Sequence, residues 1–233
     1  IINEASNWYY MSGGRASVPV VIWGIINRGG EQAAQHSQAL QAMFAHIPGL
    51  KVVMPATPYD AKGLMISAIR DDNPVVFIDD RWLHDVEGEV PEEMYEVPIG
   101  KAVVRREGSD VTLVASSYMT YLAEKAADEL ARKGIKVEVV DLRTIKPIDK
   151  DLLLASVRKT GKLVVADGGW RSFGVSAEIE AIVFEEAFSY IKTAPIRITL
   201  PDVPAPASAN LENAYYPTEK DIIHAVRNII SSP

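Results

Sequence analysis

The chain carries four histidines, at His36, His46, His84 and His224, and their surroundings limit what they can do alone. None belongs to an HExxH pair, and none has acidic neighbours at metal-ligand spacing, so no zinc-type centre is encoded. Cysteine is absent, which removes disulfides, thiolate metal sites, thiol nucleophiles and CxxC redox chemistry together. No GxGxxG loop follows a strand, no GxxxxGK[ST] phosphate loop exists, and there is no GxSxG elbow for a serine nucleophile. By these tests the chain alone resembles a scaffold more than a self-sufficient enzyme.

The elements that must position any working side chain follow from periodicity. A helical fragment reaches about Tyr10, and the Gly13-Gly14 turn leads into a β-branched strand from Val18 to Trp23. Apolar residues Ala33, Leu40, Phe44 and Ile47 predict a helix from about Gln32 to His46, stopped by Pro48-Gly49. A strand over Leu50 to Met54, a helix from Pro58 to Arg70 and a strand over Val75 to Ile78 follow. Between Leu83 and Gly100 periodicity gives way to Glu87, Glu89, Pro91, Glu92, Glu93 and Pro98, which reads as a linker. Alternation then resumes: strands at Val111 to Ala115, Lys136 to Val140, Leu163 to Ala166 and Ile196 to Thr199. Between and after them lie helices at Thr120 to Lys133, Asp149 to Arg158, Val175 to Ile191 and Thr218 to Ile230. Phe184, Phe188 and Tyr190 read as helix core. The fold class is therefore α/β: two layered domains, 1–84 and 101–233, joined by a linker at 85–100.

Composition agrees with a globular protein. The 233 residues are 48% hydrophobic and 24% charged, enough apolar material for one large core or two modest ones. A net charge of −7 argues against a nucleic-acid partner, which selects a basic face. No uninterrupted apolar run approaches ~18 to 20 residues, so no membrane span is expected. The absence of cysteine fits a reducing cytoplasm. Because Ile1-Ile2-Asn3-Glu4-Ala5-Ser6 reads like the middle of a helix with no cap before it, we expect the natural polypeptide to extend upstream.

Longer strings carry a resemblance. Tyr10-Met11-Ser12-Gly13-Gly14, Ala34-Gln35-His36-Ser37-Gln38, Ile47-Pro48-Gly49-Leu50-Lys51-Val52-Val53, Asp60-Ala61-Lys62-Gly63-Leu64 and Ser67-Ala68-Ile69-Arg70-Asp71-Asp72-Asn73-Pro74 occur in family order. Val140-Asp141-Leu142-Arg143-Thr144-Ile145-Lys146-Pro147, Gly169-Trp170-Arg171-Ser172-Phe173-Gly174-Val175, Asp202-Val203-Pro204 and Leu211-Glu212 continue the series. Together they resemble the beta subunit of pyruvate and other 2-oxoacid dehydrogenase first components, which are transketolase-like thiamin-diphosphate enzymes. The resemblance implies a partial pyrimidine-binding domain followed by a transketolase C-terminal-like domain. It also implies oxidative decarboxylation with acyl transfer to a lipoyl group. It places the family's catalytic glutamate upstream of Ile1. The diphosphate and its Mg²⁺ would be held by a GDG motif, absent here, on an alpha-type partner or a fused domain. A dimer and a lipoyl acyltransferase core are the other implied partners.

Carried over residue by residue, the resemblance puts His36 at the substrate end of the thiazolium. There an imidazole can steady a carboxylate or oxyanion, or move a proton; the alternative is a helix-borne histidine that bonds only locally. It also implies a K⁺ site built mainly from backbone carbonyls at Val20, Ala68, Ile69, Asp71 and Asn73. The carbonyls at the end of a helix carry partial negative charge that a cation can satisfy, and Asp71 adds a formal charge. An ordinary helix cap closed by Asn73 and water would look the same in sequence.

One stretch departs from the family. Where Arg-Gly-Pro-Asn-Gly commonly precedes AQHSQ, this chain reads Trp23-Gly24-Ile25-Ile26-Asn27-Arg28-Gly29-Gly30-Glu31 at the same length, which leaves substrate choice open. Trp23 reads as a core anchor, and Arg28 as either a contact for substrate or partner, or a solvated charge. Trp170 and the stretch from Pro204 to Pro206 fit a docking face for the acyltransferase or subunit-interface packing equally well. Transketolase-like or deoxyxylulose-phosphate-synthase-like ketol transfer, and a non-catalytic assembly module, are the competing functions.

Overall fold

A computed structural model describes residues 1–232 of the chain. Strict alternation of side chains along fully buried strands organises it: successive residues face opposite sides of a sheet, so each buried strand feeds two cores. In chain order the first elements are α1 (Trp8–Met11), β1 (Val21–Ile26), α2 (Ala33–His36), α3 (Gln41–His46), β2 (Lys51–Val53), α4 (Pro58–Arg70) and β3 (Val75–Asp80), followed by a 3₁₀ turn at Arg81–Leu83. After the acidic stretch come β4 (Val103–Arg106), β5 (Val111–Ala115), α5 (Tyr118–Ala131), β6 (Val137–Asp141), β7 (Thr144–Lys146), α6 (Lys150–Thr160) and β8 (Leu163–Trp170). Then α7 (Val175–Ala187), a 3₁₀ turn at Phe188–Tyr190, β9 (Ile196–Leu200), α8 (Ala209–Tyr215) and α9 (Glu219–Ser231) complete the chain.

Two sheets result, with orders β1-β3-β2-β7 and β4-β6-β5-β8-β9. Within the first, β1, β3 and β2 run parallel while β7 adds antiparallel to β2; within the second, β4 alone is antiparallel. Val53, Val75 and Phe77 face Leu64 and Ala68 of α4, whereas Val52, Val76 and Ile78 face the other way. That second face joins Val114, Val140 and Val165 of the other sheet, with Leu153 of α6 and Ile179 of α7, in one continuous core. Leu113, Val139 and Val164 turn instead toward α5 and α9. Helix starts follow local chemistry: Thr57 accepts from the Asp60 amide ahead of Pro58, Asp149 caps α6, and Thr218 and Asp221 form a reciprocal box on α9.

Several expectations need correction. The helix expected over Gln32 to His46 is two short ones, because the chain turns at Ser37 after the left-handed Ala33 and restarts at Gln41. The first strand lies three residues later than its β-branched run suggests, since Val18 and Val20 bond to Asp72 and Val75 as a lead-in. β4 and β7 were not foreseen: each is a short edge strand with little pattern of its own. The linker does not hang free. Val97 is buried against Gly63, and Tyr95 stacks on Tyr59 at 4.4 Å. Phe184, Phe188 and Tyr190 are not core; they sit on the outer side of α7 and the turn that ends it, with Phe188 66% exposed.

Candidate active site

Parallel strands deliver loops at their carboxyl ends, and there this chain gathers its exposed functional groups. β1 and β3 end side by side, Ile25 paired with Asp79 and Ile26 with Asp80. Trp23 is 68% exposed and its Nε1 donates to Asp79 Oδ2 at 3.0 Å. His84 Nε2 lies 3.4 Å from the same oxygen. Trp23 is therefore no core anchor: β1 is an edge strand, and its indole stands outward beside the exposed Ile25.

His36 ends α2 with its side chain exposed. Asn27 closes the loop that carries it. The Asn27 amide donates to the His36 carbonyl at 3.1 Å, Ser37 Oγ donates to the Asn27 carbonyl at 3.1 Å, and Asn27 Nδ2 donates to Gln32 Oε1 at 3.0 Å. Arg81 Nη1 in turn donates to Asn27 Oδ1 at 2.8 Å.

Arg28 is 2% exposed, which overturns both sequence readings of it. Its Nε pairs with the buried Asp80 Oδ2 at 2.8 Å, and its guanidinium lies 5.7 Å from the Trp82 ring centre and 5.4 Å from that of Tyr216. It is a solvent-excluded cation that ties the first sheet to the C-terminal part of the chain. Burial pushes the Asp80 carboxyl above its usual range, against the pull of Arg28 and of the Trp82 amide. A Cβ at Gly29 would overlap the Trp82 indole, and the backbone there has φ +81°, so glycine is required on both counts.

Asp167, within β8, is a second buried carboxyl. Its Oδ1 accepts from Gln41 Nε2 at 3.1 Å and from the Gly169 amide at 2.9 Å, and its Oδ2 accepts from the Ser176 amide at 3.1 Å. Burial raises this carboxyl too, with those donors pulling the other way. Trp170 is half-buried, its Nε1 directed at the Val203 carbonyl and the Tyr215 hydroxyl, so it packs the C-terminal turn locally.

Of the residues expected to hold K⁺, Ala68 and Ile69 lie in the last turn of α4, Asp71 and Asn73 follow it, and Val20 precedes β1. The Val20 carbonyl accepts from the Val75 amide, the Ala68 carbonyl from the Asp71 amide, and Asp71 Oδ1 from the Asn73 amide at 2.9 Å. Asp71 Oδ2 also pairs with Lys51. No group of three or more His, Asp or Glu side chains among the described residues converges to hold a metal ion. Asn27, Asp80, Gln41 and Asp167 escaped sequence reasoning because single polar residues inside or beside apolar runs leave no periodic trace. Glu212 belongs to the Leu211-Glu212 pair, yet nothing local marks it as buried.

The donor set has a definite chemical character. Trp23 and Ile25 offer apolar surface, His36 and Asn27 offer hydrogen bonds, and the two arginines of this region are engaged by Asp80 and Asn27. This suits the ring end of thiamin diphosphate rather than its diphosphate. Parallel strands whose carboxyl ends carry these groups, beside a second all-but-parallel sheet, define an α/β protein of layered sheets and helices. The family models for the transketolase pyrimidine-binding domain and the transketolase C-terminal domain match residues 2–84 and 100–222.

The chain is 47% identical to the pyruvate dehydrogenase E1 component subunit beta of Rickettsia felis, across 98% of this chain and 70% of that protein. It is 46% identical to the acetoin:2,6-dichlorophenolindophenol oxidoreductase subunit beta of Cupriavidus necator, across 97% and 67%. A solved split-gene transketolase, described as an inactive beta4 tetramer, superposes with a TM-score of 0.76 at 28% identity, covering 92% of this chain and 67% of that one. The chain belongs to the family of beta subunits of thiamin-diphosphate-dependent 2-oxoacid dehydrogenase first components and their acetoin-oxidising relatives.

Proposed function

We propose that the chain supplies the pyrimidine-side half of a composite active site that oxidises pyruvate or acetoin and passes the acyl group to a lipoyl acyltransferase. Thiamin diphosphate, when bound, supplies a carbanion for attack on the substrate carbonyl. This chain's contribution is placement. The mouth beside Trp23 and Ile25 offers apolar contact, and His36 presents an imidazole to steady substrate oxygen or move a proton. The single observation that carries the reading is His36, exposed at that mouth on a loop closed by Asn27.

In this reading Mg²⁺ and the diphosphate are held by an alpha-type subunit or fused domain, and the chain pairs with a second copy. It works in the cytoplasm, and its domains divide at 1–84 and 101–233. K⁺ sits at Val20, Ala68, Ile69, Asp71 and Asn73, where the Val20 and Ala68 carbonyl oxygens each keep a lone pair beyond the bond already accepted. The inactive tetramer formed by the transketolase neighbour favours a companion reading: without its partner, the beta chain assembles but does not turn over.

The test is to assay the purified full-length protein with thiamin diphosphate and Mg²⁺, alone and with its alpha-type partner, using pyruvate and acetoin in turn with an artificial electron acceptor. Turnover only with the partner supports the composite site. Turnover by this chain alone, or none with the partner present, overturns it.

A further inference from the structure

The loop over residues 27–37 is closed at its neck within the first part of the chain, but its tip is held from the other end of the sequence. The Gly29 amide donates to Glu212 Oε1 and the Glu31 amide to Glu212 Oε2, each at 3.1 Å, across more than 180 residues. The grip is reciprocal, since the Ala209 amide at the start of α8 donates to Glu31 Oε1 at 3.1 Å. Glu212 is 5% exposed and has no cation partner among the described residues, so the two backbone amides are its compensation for leaving water.

The loop needs an external hold. Gly29, Gly30, Glu31 and Ala33 all have positive φ, and at Glu31 and Ala33 a side chain makes that left-handed backbone unfavourable. A run of left-handed residues directs amide groups into one concavity, which selects an anion. Here the anion belongs to the protein itself. Arg28, one residue before the first gripped amide, is buried against Trp82 and Tyr216, so that Tyr216, one residue beyond α8, packs from the same side as Glu212.

We propose that Glu212 is a positioning residue for His36: by gripping the loop tip it makes the C-terminal part of the chain set where the imidazole stands at the mouth. The catalytic consequence rests on the role given to His36 above. Because this loop replaces the family's usual sequence, the grip also sets the shape of the mouth that discriminates substrates.

The test uses Glu212→Ala in the full-length protein, with Glu212→Gln as a milder variant that keeps one acceptor oxygen and folds if the alanine variant does not. Amide hydrogen exchange across residues 27–37 should quicken by about tenfold or more in Glu212→Ala, and by less in Glu212→Gln, while β5 and α5 stay protected. In the enzyme reconstituted with its partner, kcat should fall by roughly 10- to 100-fold, with a smaller change in substrate KM. Unchanged exchange across 27–37 in both variants overturns the proposal. So does faster exchange with wild-type kcat in a system where His36→Ala is inactive. If His36→Ala is fully active, the role of His36 fails on its own account, and exchange alone decides whether Glu212 holds the loop.

Discussion

Gln41 and Asp167 lie 126 residues apart and meet at 3.1 Å, Nε2 donating to Oδ1, with both side chains out of water. The bond fastens α3, the helix after the His36 turn, to β8. Asp167 is otherwise held by backbone amides, with no cation on it among the described residues, and burial raises its carboxyl above the ordinary value. A carboxyl raised on folding contributes stability that is fully present below its unfolded pKa, ~3.9, and lost as pH rises through the folded value. The advantage of the native chain over Asp167→Asn should therefore shrink as pH rises from about 4 toward neutrality. Thermal midpoints of the two proteins over that range measure it, and a gap that widens with pH contradicts it.

The Arg28–Asp80 pair gives a second prediction. Removing one partner of a buried pair strands the other, so Asp80→Ala should cost about 3 to 5 kcal/mol. Replacing both charges, as Arg28→Met with Asp80→Leu, removes the stranded ion and should cost clearly less. Urea unfolding of the single and double variants compares them; a double variant worse than Asp80→Ala would show that Arg28 matters through its packing on Trp82 and Tyr216.

His36→Ala should lower turnover of the reconstituted enzyme by about 10² to 10⁴, the range for a lost acid–base group. Its ring makes no hydrogen bond among the described residues, so the thermal midpoint should hardly move. Steady-state rates beside a melting curve separate the cases, and a fully active variant removes His36 from the site.

If K⁺ binds at the end of α4, raising K⁺ at constant ionic strength should raise the thermal midpoint, since a ligand that binds only the folded state stabilises it. Asp71→Asn should weaken that response. Equal midpoints in potassium and in a large organic cation would leave Lys51 and the Asp71 turn as an ordinary helix end.

Legibility in the sequence followed pattern strength. The long buried strands β5, β6 and β8 and the helices α4, α5 and α9 are readable because each carries several apolar residues at one period and a recognisable start or stop. Trp23 misleads because an aromatic in a β-branched run usually faces a core, and nothing local says that β1 is an edge. Phe188 and Tyr190 mislead because the helix ends at Ala187, which turns them outward. His36 was legible only through its motif. Its supports, Asn27, Arg28 and Glu212, were not, because their partners come from distant sequence and only the fold brings them together.

β7 has a consequence for anyone dividing this protein. The three residues Thr144–Lys146 lie far beyond the acidic stretch, yet they complete the first sheet by pairing with β2. A piece ending near residue 84 would keep Val52 and Val53, which are wholly buried in the intact chain, on a bare strand edge. Open edges of that kind recruit strands from other molecules, so such a piece would be prone to aggregate. The sequence boundary and the smallest unit able to fold are different things here: recombining this pyrimidine-side half with a foreign C-terminal half would have to carry a matching β7 along.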